Sequence, residues 1–118
     1  MFQPLNQIRL KETGAYELYR LDSTIYKEVD FTFLFICNTS GSDQAVRLFL
    51  NGGGNADASN AMMWDKSFDV LAEDTEDLYM YGMGFKNNED ALYVRCPKAN
   101  VITVTLWGRL VTHSERLV

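Results

Sequence analysis

The sequence predicts a single all-β domain, on three observations. Apolar and polar residues alternate at period two through most of the chain. Clusters of Gly, Asn, Asp and Ser interrupt that alternation at short, regular intervals. No stretch carries the i, i+3, i+4 apolar spacing of a useful amphipathic helix. The length of 118 residues suits one core. A hydrophobic fraction of 47% supplies that core and excludes disorder, which needs low hydrophobicity with high net charge.

Taken in order, Gln7–Lys11 alternates cleanly and Tyr16–Leu21 is a second short strand, with Thr13-Gly14 turning between them. Asp30–Asn38 reads as a long strand. Phe31, Phe33, Phe35 and Cys37 fall on one face, and Thr32, Leu34 and Ile36 on the other. Both faces become apolar toward its end, which predicts a central strand covered on both sides. The turn cluster Asn38–Asp43 leads to Gln44–Leu50, where Val46, Leu48 and Leu50 share a face; these two runs are expected to form a hairpin. Asn51–Asn60, with Gly52-Gly53-Gly54, reads as a long exposed loop. Met62-Met63-Trp64 and Phe68–Leu71 are short strands, Ala72–Asp77 a polar turn, and Leu78–Tyr81 a strand ended by Gly82 and Gly84. After the turn Asn87–Asp90, Ala91–Cys96 alternates until Pro97 stops it. Val101–Val111 closes the domain, with Ile102, Val104 and Leu106 on one face and Thr103, Thr105 and Trp107 on the other. Many short strands with turn signals between them mean a β-sandwich or barrel.

Composition narrows function. A net charge of −5 disfavours nucleic acid, whose phosphates need a basic surface. No apolar run approaches the roughly 20 residues that span a bilayer. The stretch Met1–Asn6 lacks the basic and apolar regions of a signal peptide, so synthesis in a cytoplasm is expected. Cys37 and Cys96 are then expected as buried free thiols.

Catalytic patterns are missing. Gly52-Gly53-Gly54 is not followed by the Lys-Ser/Thr of a phosphate loop. The single histidine, His113, has no ligand-like spacing to either cysteine and reads as a solvated tail residue. Glu73, Asp74, Glu76 and Asp77 surround Thr75, with Asp65 and Asp69 before them. Such oxygens suit a hard cation, but without loop spacing of the EF-hand kind they read as a solvated turn. Asn38-Thr39-Ser40 matches a glycosylation sequon and is read as a side-chain-to-backbone turn. The reading is therefore no enzyme, no cofactor and no metal. Trp64, Tyr79, Tyr81, Tyr93 and Trp107 could floor a sugar site, or pack in a core or subunit contact, where large aromatics dominate.

The order of elements from Tyr16 onward carries a resemblance. Its pieces are Phe35-Ile36-Cys37-Asn38-Thr39-Ser40, Ala45-Val46-Arg47-Leu48-Phe49-Leu50, Glu73-Asp74-Thr75-Glu76, Asp90-Ala91-Leu92-Tyr93-Val94-Arg95 and Val101–Gly108. In this order they resemble a class of small bacteriophage virion proteins with a jelly-roll-like β-sandwich. The resemblance implies an antiparallel sandwich over residues 13–118, with residues 1–12 as an N-terminal arm or first strand. It implies a non-enzymatic capsid decoration (cement) protein that binds the major capsid protein and copies of itself, as a trimer. Nucleic acid and membrane are not expected as partners, and the protein is expected in the virion after assembly in the host cytoplasm. A neck, tail or fibre-associated subunit and a carbohydrate-binding module are the alternatives; a small hydrolase using two carboxylates is a third. The interface is expected at Phe2, Pro4, Leu5 and Ile8 of the arm and at Met62, Met63, Trp64, Tyr79 and Tyr81. Methionine and aromatic side chains suit adaptable contacts. Removing Met1–Asn6 is expected to weaken particle binding and leave the domain folded.

Overall fold

A computed structural model describes residues 2–51, 65–80 and 82–114. They form nine strands: β1 Gln3–Arg9, β2 Tyr16–Arg20, β3 Tyr26–Asn38, β4 Gln44–Asn51, β5 Asp65–Val70, β6 Thr75–Tyr79, β7 Gly84–Phe85, β8 Ala91–Arg95 and β9 Ile102–Thr112. All pairings are antiparallel. One sheet, A, runs β1-β9-β3-β6, with the two-residue β7 also paired to β3; the other, B, runs β2-β8-β4-β5. Leu34 and Ile36 of β3 and Val104 and Leu106 of β9 face Leu18 of β2, Val46 and Leu48 of β4, and Leu92 and Val94 of β8. All are essentially buried in one shared cluster. Two antiparallel sheets packed on one core make a β-sandwich, and each such side chain contributes about 1.5–3 kcal/mol by leaving water.

Of the links between consecutive strands, only β4–β5 joins two that pair with each other. The expected hairpin between Asp30–Asn38 and Gln44–Leu50 therefore does not form: β3 lies in sheet A and β4 in sheet B. Asn38 supplies the physical reason. Its Nδ2 donates to the carbonyls of Ser42 (2.9 Å), Val70 (3.0 Å) and Leu71 (3.3 Å), while its Oδ1 accepts from the Ser40 amide (2.9 Å) and hydroxyl (2.8 Å). The carboxamide bends the chain out of sheet A and fastens it to the end of β5 in sheet B. The turn reading of Asn38-Thr39-Ser40 describes this geometry, and the asparagine is buried.

The expected facing of β3 also changes. A register shift between Phe31 and Phe33 against β9 marks a bulge. One extra residue reverses the alternation. Phe31 therefore joins the core, edge-on to Tyr19 (6.1 Å) and Phe85 (5.2 Å), while Phe33, Phe35 and Cys37 face the opposite side. Thr32 is buried at the bulge, its hydroxyl donating to the Trp107 carbonyl at 3.1 Å. β3 is central within sheet A, but sheet B covers only one of its faces.

Other boundaries move less. The polar turn ends at Asp74, with Glu73 at a φ of 55°, so Thr75–Asp77 belongs to β6 rather than to the turn. Its polar composition is that of an edge strand, where charge discourages stray pairing. Gln3–Arg9 is a strand paired with β9 from Gln3↔Gly108 to Arg9↔Thr103, not a free arm. Cys37 and Cys96 are free thiols; Cys96 is in the core and Cys37 half-buried.

Candidate functional site

The outward face of sheet A is built by four strands in register. Pro4 of β1 lies opposite Trp107 of β9, Trp107 opposite Phe33 of β3, and Phe33 opposite Tyr79 of β6. The next outward row is Gln7, Thr105, Phe35 and Asp77. Trp107, Phe33 and Phe35 are half-buried, and Tyr79 is 67% exposed. Phe33 lies 6.0 Å from Phe35 with the rings 15° from parallel, and 5.1 Å from Tyr79 at a tilt of 60°. Polar groups border the rings: the Gln7 amide donates to the Thr105 hydroxyl at 2.9 Å. The bulge puts Phe33 and Phe35 here; without it the alternation that buries Phe31 would bury them too.

Of the residues expected at an interface, Tyr79 and Pro4 lie on this face, and both are exposed. Phe2, 56% exposed, borders a groove of about 630 Å³ at one end of the sandwich. Phe31, Met83 and Phe85 also line it, as does the Asp30–Arg109 ion pair (3.4 Å). Leu5 and Ile8 are half-buried and pack against the core. Met62, Met63, Trp64 and Tyr81 lie outside the described residues, as does most of the expected loop Asn51–Asn60. Trp107, considered for a sugar floor, is on the aromatic face. Tyr93 is not: it is 2% exposed on sheet B, stacked on Phe49 at 5.5 Å. Sequence reasoning missed Phe33 and Phe35 as surface groups. The only local signal was a strand whose two faces were both apolar.

Sheet B presents different chemistry outward. Arg47 of β4 and Arg95 of β8 are directly opposite one another. Both are half-buried and line a groove of about 440 Å³ with Thr13, Ala45 and Pro97. Nearby, Arg20 pairs with Glu17 at 2.5 Å, and that hydrogen-bonded contact raises the guanidinium pKa.

His113 is exposed, with Nε2 2.6 Å from the Ser23 carbonyl oxygen, so it ties the end of β9 to the β2–β3 turn. Among the described residues, no three His, Cys, Asp or Glu side chains gather closely enough to hold a metal ion. The arrangement offers a band of aromatic side chains on one face and two arginines at opposite ladder positions on the other. No family model and no curated protein sequence matches the chain.

Proposed function

We propose that this chain is a non-enzymatic structural protein of a bacteriophage virion, a capsid decoration (cement) protein that binds the major capsid protein and copies of itself. In this reading it is made in the host cytoplasm and acts in the particle. The observation that carries the reading is the outward face of sheet A, where Trp107, Phe33, Phe35 and Tyr79 form a band across three adjacent strands. Contiguous exposed apolar surface marks association sites, and aromatic residues are enriched in the buried centres of interfaces. Fold-level analogy adds to it. We read the order β1-β9-β3-β6 facing β2-β8-β4-β5, with six of the eight links crossing between sheets, as jelly-roll-like, an architecture used by viral capsid and lectin domains.

Mass spectrometry of purified particles tests this reading. Copies on the order of hundreds, the count of a repeating capsid lattice, support a cement role. About six or twelve, the count of a symmetric ring, would make it a neck or tail subunit. Absence from the particle would overturn the proposal. The double variant Trp107→Ser/Phe35→Ser leaves both inward rows intact. It is expected to keep the wild-type circular dichroism while losing particle occupancy by about tenfold or more.

A second reading has its own observation: half-buried and exposed aromatic side chains lie beside the polar Gln7 and Thr105, a combination suited to packing against a sugar ring. Glycan-array binding that the same double variant abolishes would favour a carbohydrate-binding module.

A further inference from the structure

We propose that the outward face of sheet A packs against the same face of a second copy of this chain, about a two-fold axis that runs along the strands between β3 and β9. This rests on the self-association in the reading above and gives it a surface and a symmetry.

Register decides which outward side chains are neighbours. To the rows Pro4-Trp107-Phe33-Tyr79 and Gln7-Thr105-Phe35-Asp77 it adds a third, Arg9-Thr103-Cys37-Thr75. Arg9 confirms the facing, since its guanidinium donates to the Thr103 hydroxyl at 3.4 Å. The two edges of this face differ in charge: Gln3–Arg9 holds a base and no acid, Thr75–Tyr79 two acids and no base. Arg9 and Asp77 are exposed, and neither joins an ion pair among the described residues. Arg9 also donates to the Thr39 hydroxyl and the Asn100 carbonyl, contacts that bring no carboxylate to it.

Stacked sheets lie about 10 Å apart with their strands nearly aligned, which leaves two symmetric ways to join identical faces. An axis across the strands lays each strand on its own copy with the rows inverted. Asp77 then meets Asp77 in the middle row and Arg9 meets Pro4, so like charges repel and the cation gains nothing. An axis along the strands keeps the rows and exchanges the edges, so β1 of each copy lies over β6 of the other. Gln7 then covers Asp77, and Arg9 covers Thr75. From there an arginine reaches the neighbouring carboxylate at Asp77, about 7 Å along the strand, with its planar fork. Sizes match in the same arrangement. Phe35 meets the smaller Thr105, Tyr79 meets Pro4, and Trp107 meets Phe33 as aromatics do at interface centres. Charge and size both select the axis along the strands. The face measures about 20 by 20 Å, at the small end of specific contacts, which suits a weak bond that a lattice of copies multiplies.

Sedimentation equilibrium and native mass spectrometry of the isolated chain, at micromolar to near-millimolar concentration, test the contact. The wild type should form a dimer. Arg9→Glu alone, or Asp77→Arg alone, places like charges together at both symmetric pairs and should raise the dissociation constant by about tenfold or more. Mixed in equal amounts, the two variants should form a heterodimer near wild-type affinity, because both pairs are again opposite in sign. The doubly reversed chain should dimerise as the wild type does. Circular dichroism should stay unchanged throughout, and Asp77→Arg carries the test alone if Arg9→Glu disturbs the fold. Cys37 lies in the face, so its alkylation by iodoacetamide should slow as wild-type concentration rises. A chain that is monomeric at every concentration, or the trimer that the resemblance implies, would overturn the contact. So would a dimer that folded Arg9→Glu leaves equally tight. Copy number in the particle tests the virion reading separately.

Discussion

Asn38 uses both ends of its carboxamide, as donor to Ser42, Val70 and Leu71 and as acceptor from Ser40. No other side chain of that size both donates two protons and accepts at the same position. Replacing it with alanine removes the donor to the Val70 carbonyl in a buried contact and to the Leu71 carbonyl in a half-buried one, and a buried group left unpaired costs on the order of 1–3 kcal/mol. Asn38→Ala is therefore expected to lower stability by about 3 kcal/mol, seen as a fall in the urea midpoint with unchanged slope. Asn38→Asp keeps the acceptor for Ser40 and loses the donors, and it buries a charge, so it should cost at least as much. An Asp variant as stable as wild type would show that the three carbonyls need no donor. Half of this was legible in the sequence. The turn-forming habit of asparagine is local chemistry. Its reach to Val70 and Leu71 joins positions 32 and 33 residues apart, and no local pattern reports that.

At the scale of elements, β9 was readable and β3 was not, for a definite reason. Ile102 to Trp107 alternates without interruption, so its two faces follow from period two alone. β3 has the same alternation in sequence, but its bulge between Phe31 and Phe33 reverses the faces halfway, and a bulge has no signature in an apolar run. The aromatic face of sheet A was hidden for that reason. Sheet membership was also out of reach: a turn of given composition can close a hairpin or cross between sheets. β7 escaped because two residues carry no period. Its register on β3 depends on Gly84, where a Cβ would lie 2.2 Å from the Val29 carbonyl oxygen, a backbone atom that cannot step aside. Gly84→Ala should therefore cost about 2 kcal/mol or more. It should also speed hydrogen exchange at the Phe31 amide, which donates to Met83 at 2.9 Å. Gly14→Ala, with no atom within 4 Å of its added carbon, serves as the neutral control. Equal exchange in the two variants would show that β7 holds without the close approach.

For the molecule as a whole, the first strand and the last are neighbours. β1 pairs along β9, which in turn pairs along nearly the whole of β3, so sheet A is assembled from opposite regions of the sequence. β1 also reaches across the core: the Asn6 amide donates to the Leu18 carbonyl of β2 at 2.9 Å, and Leu5 and Ile8 pack on the shared cluster. Of the two forms expected for residues 1–12, arm or first strand, the strand is the one that forms, and it argues against the expectation that Met1–Asn6 can be removed with the domain left folded. A free arm can be cut away without loss of fold, but here the cut removes the pairings of Gln3, Pro4 and Asn6 with Gly108, Trp107 and Leu106. The half-buried Leu5 contributes part of the roughly 1.5–3 kcal/mol of a fully buried leucine, and each net hydrogen bond contributes about 1 kcal/mol. Deleting Met1–Asn6 is accordingly expected to lower the melting temperature by about 10 °C or more and to leave the edge of β9 exposed to other chains. Light scattering should then rise on heating before circular dichroism is lost. A truncated chain that melts with the wild type would show that β1 contributes nothing to the sandwich. Loss of particle binding by that truncated chain would then belong to the segment itself, and not to a destabilised domain.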